Sequence, residues 1–364
     1  MTYSNLVEFG SKEAVDLLFR RSQKDHFAPA RLCGRCHRFG KLILCLILFL
    51  IVFFLTVVSS EADADGSKVS FLPQWLPQAQ FAGYMVARDK GFYREQGLDV
   101  TIMRGGPGEP PMDALNSGKA DFCTSWLSTA IQRRAAGDPI VNIGQIIQRS
   151  ALMLISKRNG TIHAPMDFEG KKVGIWEGDF RIQPLAFFRM HKLNVQIVPL
   201  YGTINLFFKN GVDAISGMYY NEYHTLLNSG LDPDELNLFP FRDDSALDFP
   251  EDGIYCREET FRENPAVCAK FVAASLKGWL YVFRHPDEAL DIVMKYAQEA
   301  NTGTNRAHQR WMLQRMKNLI MPGGYENRLG KLAPQDYLRV GNVLLELNFI
   351  RSIPLFDEFY RGER

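Results

Sequence analysis

Apolar positions in this chain fall into short blocks that alternate between two periods. From residue 68 onward, apolar and β-branched runs recur at 69–72, 98–103, 120–123, 140–147, 152–156, 172–176, 196–200, 212–217 and 236–239. Such runs predict buried strands. Between them the spacing becomes that of a helix, over 80–96, 112–116, 127–136, 183–191, 204–209 and 221–229. Gly97, Gly118, Gly137 and Gly230 stand at or just after four of these stretches, where a left-handed residue ends a helix. Strand then helix, repeated, predicts an α/β fold with a parallel sheet. Beyond Tyr255 the pattern turns helical, over 265–284, 286–298, 306–319 and 334–346.

A long α/β region closed by a helical tail suits two lobes between which the chain crosses twice. The apolar, extended stretches 152–157 and 253–257 are the expected crossings. One lobe then comprises 67–156 plus 254–364, and the other 157–253. Ligands in such folds bind at the C-terminal ends of strands, in the crevice between lobes.

Residues 42–58 form an uncharged apolar run, with Arg31, Arg35, Arg38 and Lys41 before it and Ser-Ser-Glu-Ala after it. Positive flank, apolar run and small residues follow the order of an export signal. The run is also at the lower limit for a membrane span. A cleaved signal peptide and a retained N-terminal anchor are both open, with 1–41 as a basic tail. Either places the bulk of the chain outside the cytoplasmic membrane, in the periplasm or on the membrane's outer face. Cys33-Gly34-Arg35-Cys36-His37 fits a haem-attachment spacing, but it lies on the wrong side of the apolar run. It is read as two cysteines in a basic tail.

Composition narrows the class further. The chain has 364 residues, 46% hydrophobic and 23% charged, with a net charge of +1. Disorder is excluded, and no global charge calls for nucleic acid. Six cysteines are too few for a disulfide scaffold. After signal cleavage Cys123, Cys256 and Cys268 would remain, so at least one is unpaired.

Several motifs are distinctive in their order. They are Trp75-Leu76-Pro77-Gln78-Ala79-Gln80-Phe81-Ala82-Gly83-Tyr84, then Gly91-Phe92-Tyr93 and Gly97-Leu98-Asp99-Val100. Gly105-Gly106-Pro107, Gly118-Lys119-Ala120-Asp121-Phe122 and Gln148-Arg149-Ser150 follow. Gly170-Lys171-Lys172-Val173-Gly174, Tyr220-Asn221-Glu222 and Phe249-Pro250-Glu251-Asp252-Gly253 complete the series. Over about residues 68–300 the chain resembles the substrate-binding proteins of ABC importers in the thiamine-pyrimidine group, which is related to sulfonate, nitrate and riboflavin binders. The resemblance implies a two-lobe type II periplasmic-binding-protein fold. It implies a small heteroaromatic ligand, first of all an aminopyrimidine precursor of thiamine, with permease and ATPase subunits as partners. No cofactor, metal or nucleic acid is implied.

The candidate ligand residues are Trp75, Gln78, Trp126, Trp176, Tyr219, Tyr220 and Glu222, all at predicted strand ends. Aromatic faces stack on a flat ring, and amides pair with ring nitrogens. The alternative for each tryptophan is packing at the core or rim. In the family-like reading the Glu222 carboxylate accepts from an exocyclic amine. A sulfonate or nitrate site would want a cation or bare N–H groups there instead.

Eukaryotic pyrimidine-phosphate synthases of thiamine biosynthesis share the framework motifs, and they are the competing enzymatic reading. They resemble this chain but use a lysine that holds pyridoxal phosphate and a histidine consumed as substrate. The matching positions here are Thr124-Ser125-Trp126 and Phe81. No H-E-x-x-H or G-x-S-x-G motif is present, so no catalytic residue is assigned. His224, one turn after Tyr220, is read as a surface helix residue.

Overall fold

A computed structural model describes residues 66–363 apart from Tyr325. The basic tail, the apolar run 42–58 and the Cys33–His37 motif lie outside the described residues.

Among the described residues ten strands form two sheets. They are β1 (Ser67–Leu72), β2 (Leu98–Ile102), β3 (Phe122–Trp126), β4 (Ile140–Gln145), β5 (Leu152–Lys157), β6 (Lys172–Trp176), β7 (Gln196–Leu200), β8 (Ala214–Met218), β9 (Leu236–Pro240) and β10 (Asp252–Arg257). The strand orders are β2-β1-β3-β10-β4 and β7-β6-β8-β5-β9. This is the α/β periplasmic-binding-protein architecture expected above. The sheets are mixed, however, rather than parallel. β10 runs antiparallel to β3 and β4, and β5 runs antiparallel to β8 and β9. Both are the strands by which the chain enters a sheet, so each arrives without a preceding βαβ crossover to set its direction. β5 lies wholly in the second sheet, and the passage between sheets falls before it.

The principal helices are α1 (Ala82–Asp89), α2 (Leu127–Ala135), α3 (Ile182–Met190), α4 (Glu222–Asn228), α5 (Pro265–Arg284), α6 (Pro286–Glu299), α7 (Arg306–Ile320) and α8 (Pro334–Glu346). The helix expected over 80–96 is broken. Gly91 takes φ +78°, a left-handed conformation that interrupts the helical hydrogen-bond ladder, and Phe92–Glu95 forms a separate turn.

The first sheet packs its apolar face on α5. Phe71 and Phe122 reach the buried Phe271 ring at centroid distances of 5.3 and 4.4 Å. α5 is long and apolar enough to cross a membrane by length and composition, but Cys268, Phe271, Ala274, Trp279 and Val282 are buried in this core. A Cβ built on Gly278 would sit 2.0 Å from the carbonyl oxygen of Gly83. α1 and α5 therefore meet backbone to backbone, which only glycine permits. The second sheet has its own cluster, with Met153, Ile155, Leu200, Phe207, Ile215 and Leu226 at its centre.

Candidate functional site

The C-terminal ends of the parallel strands β1, β3, β6 and β8 face one cavity of about 340 Å³. Trp75 and Gln78 come from the loop after β1. Trp126 ends β3 and Trp176 ends β6. Tyr220 comes from the turn between β8 and α4, and Glu222 opens α4. Six of the seven residues singled out above thus line the same space, contributed by both sheets. Tyr219 does not. Its ring stacks on Tyr223 with centroids 5.3 Å apart, and it lines a separate cleft. In the turn after β8 the two neighbouring tyrosines part, Tyr220 into the cavity and Tyr219 into that cleft.

The three tryptophans differ in role. Trp75 is 39% exposed, so it sits at the rim. Trp126 is buried and leans on Phe180, centroids 4.7 Å apart at 56°. Trp176 is half-buried, and its indole Nε1 is buried without a hydrogen-bond partner among the described residues. An unsatisfied donor in a cavity wall costs free energy until something accepts from it.

Glu222 folds back on its own turn. Met218 N–H donates to its Oε2 at 2.7 Å, and Asn221 Nδ2 donates to its Oε1 at 2.8 Å. Each oxygen keeps acceptor capacity. Burial raises its pKa against these hydrogen bonds.

A second set of polar groups stands beside the cavity. Gln78 Nε2 donates to Gln80 Oε1 at 2.7 Å, and Gln80 Nε2 donates to Asp252 Oδ2 at 2.7 Å. Gln74 Nε2 donates to the other carboxylate oxygen of Asp252. Asp252 starts β10 directly opposite Trp126 on β3, which brings it to the cavity rim of the sheet. Burial pushes its pKa up to about 7, against the two glutamine donors. Gln74, Gln80 and Asp252 are not among the seven residues expected at the site from the sequence. Asp252 is 178 and 172 residues from the two glutamines along the chain, and no local spacing signals their contact.

The lining carries the carboxylates of Asp113, Glu177 and Glu222 and a single cation, Arg133. That guanidinium is committed to Asp113 at 2.7 Å and to Asp138. Among the described residues no uncommitted cation is left in the wall for an anionic ligand. Among the described residues the wall also holds no lysine on which pyridoxal phosphate could form an imine. Phe81, at the position of the synthase histidine, is fully buried core. The residues present do not fit that cofactor.

Several known proteins are similar to this chain. A riboflavin-binding protein, RibY of Chloroflexus aurantiacus, is 27% identical over 263 residues, covering 70% of this chain and 73% of that protein. A formylaminopyrimidine-binding protein of Halalkalibacterium halodurans is 25% identical over 264 residues, covering 70% and 79%. A 4-amino-5-hydroxymethyl-2-methylpyrimidine phosphate synthase of Saccharomyces cerevisiae is 22% identical over 296 residues, covering 74% and 85%. Among solved structures, the alkanesulfonate-binding protein SsuA of Xanthomonas axonopodis pv. citri superposes with a TM-score of 0.62. It covers 82% of this chain and 99% of that one at 13% identity, a likeness of fold. The model of the NMT1/THI5-like family matches residues 78–289, and with this fold and motif order the chain belongs to that family.

Proposed function

We propose that this protein is the solute-capturing component of an ABC importer, exported to the periplasm or held on the outer face of the cytoplasmic membrane. Its ligand is a flat, uncharged or cationic heterocycle, first of all an aminopyrimidine precursor of thiamine. One observation carries the reading. A cavity walled by three tryptophans combines an unpartnered indole N–H on Trp176 with acceptor oxygens on Glu222 and no uncommitted cation. An aminopyrimidine matches this set, since its ring nitrogens accept and its exocyclic amine donates. Two of the relatives named above carry heteroaromatic ligands in their names.

The two sheets act as two lobes in this reading. Closure is driven by the extra contacts that ligand makes in the closed state, and a permease with its ATPase then takes the ligand. The synthase reading lacks an amine for the cofactor. Riboflavin is the second ligand considered, because a 340 Å³ cavity falls in the range for drug-sized molecules.

The test is the thermal midpoint of the full-length protein with formylaminopyrimidine, hydroxymethyl-aminopyrimidine, riboflavin and taurine. Ligand at a hundred times its Kd adds about 2.7 kcal/mol. A rise with a pyrimidine is expected, lost in Glu222→Gln. A rise with taurine alone sinks the proposal.

A further inference from the structure

Behind Tyr219 lies a second cavity of about 490 Å³, lined by Arg149, Tyr219, Arg242, Gln314, Arg315, Asn318 and Leu319. Its wall holds three guanidiniums and no carboxylate. Arg149 is neutralised from outside by Asp248, 2.8 Å from its Nε, and its Nη2 donates to the Arg242 carbonyl at 2.9 Å. Among the described residues the carboxylate paired with Arg242 is the exposed Asp243, at 3.8 Å. Arg315 lies 3.4 Å over the Trp311 ring and hydrogen-bonds the neutral Gln314 at 3.0 Å. Arg242 and Arg315 also share one aromatic ring, with Tyr219's centroid 5.0 and 5.7 Å from their guanidinium carbons.

Two like charges at one ring repel, and no side chain in the wall offsets them. Their planes are nevertheless held by aromatic faces, which leaves N–H edges free in a preorganised fork. The positive field is felt nearby: burial first, and then Arg315, hold the His224 imidazole below its usual pKa.

We propose that this cleft binds a small oxyanion, a phosphate or a carboxylate group, between Arg242, Arg315 and Arg149. Bidentate oxyanion recognition is what guanidinium pairs do best. Arg242 follows β9 of the second sheet, whereas Arg315 stands on α7. The anion therefore ties the second sheet to the helical tail, one residue along the chain from the ligand cavity at Tyr220. The inference is independent of what that cavity holds.

The test uses the full-length protein at constant ionic strength, with chloride replaced by inorganic phosphate or by acetate. A saturable rise in thermal midpoint is expected with one of them, and which one separates the phosphate from the carboxylate source. Arg242→Gln and Arg315→Gln should each weaken the response about tenfold or more, while Arg242→Lys, which keeps charge but loses the fork, falls between. All three side chains are partly solvent-facing, and circular dichroism checks the fold. Absence of any response beyond chloride overturns the proposal. So does an equal response in the Arg242→Gln/Arg315→Gln double variant.

A separate observation concerns two thiols. Cys256 on β10 and Cys268 in the first turn of α5 are both buried, with their sulfurs 4.0 Å apart, while Cys123 has no such neighbour among the described residues. We infer that the two form a disulfide in an oxidising compartment, an inference that rests on the export reading. A disulfide oxidant, R–S–S–R, takes the two thiol protons and two electrons and leaves as two R–SH. Refolding the full-length protein with oxidised glutathione should give the peptides bearing Cys256 and Cys268 linked, two hydrogens lighter than their sum by mass spectrometry of a digest, and raise the thermal midpoint; Cys256→Ser should abolish both effects. Absence of the linked 256–268 peptides in vitro overturns the pairing whatever the compartment. Cell fractionation with thiol alkylation tests export on its own.

Discussion

Asp252 shows how a single carboxyl ties the cavity rim to folding. Two glutamines donate to it, yet burial prevails and its pKa rises from 3.8 to about 7. A carboxyl raised on folding takes up protons between its unfolded and folded values. Its contribution to stability is therefore greatest below about pH 4 and declines as pH rises to about 7, by roughly 4 kcal/mol in total. Glu251, buried and also raised, adds in the same direction. Asp252→Asn should flatten this part of the pH–midpoint curve, measured by calorimetry from pH 4 to 8. At the same scale, a Cβ on Gly217 would lie 2.7 Å from the Cβ of Glu222. Gly217→Ala should displace that carboxylate and weaken ligand binding about tenfold or more, read by titration calorimetry, with far-UV dichroism retained.

Two element contacts carry opposite messages. Where α1 meets α5, Gly278→Ala drives a Cβ into the Gly83 carbonyl, so the helices must separate. Overpacking of this kind costs about 1–3 kcal/mol or more, and the thermal midpoint should fall by several degrees. Where α4 meets α7, His224 Nδ1 and His308 Nδ1 are 2.9 Å apart, and His308 Nε2 donates to Asn221 Oδ1 at 2.9 Å. Neutral His308 then accepts at Nδ1, and protonation of both rings would set two donors face to face. Burial, and then His224, lower the His308 pKa to about 4; burial, and then Arg315, lower that of His224. A base lowered on folding contributes stability above its unfolded value, lost as pH falls from about 6.5 to about 4. His308→Gln should remove this acid-side loss, which opposes the carboxyl effect over the same range. The expectation of a surface histidine at 224 missed the contact because its partner is 84 residues away. The same holds for the orientation of β5 and β10. Local periodicity located them as extended, apolar segments, whereas their direction depends on strands far along the chain. Strand-end tryptophans were legible, since strand followed by Trp is a local pattern. The polar set around Asp252 was not.

For the whole molecule, the cavity draws its walls from both sheets, and the α4–α7 contact and the arginine cleft lie next to it in the chain. Asn221 links them directly, lining the cavity, donating to Glu222 and accepting from His308. Closure around a ligand should therefore be read by the tail helices as well as by the lobes. Small-angle scattering should show a smaller radius of gyration with ligand. Trp176→Ala, which removes one wall, should abolish that change.

The placement of the tryptophans has an optical consequence. Three of the five surround the cavity, a fourth stacks with His224 and Arg315, and the fifth is sealed in the core. Intrinsic emission is thus weighted toward the cavity and the α4–α7 contact, and the protein carries its own reporter without a dye. A flavin absorbs where indole emits and would quench the cavity tryptophans by energy transfer. A pyrimidine has no such absorption and would only shift their emission. One fluorescence titration therefore separates the two ligand chemistries by the form of the signal as well as by affinity.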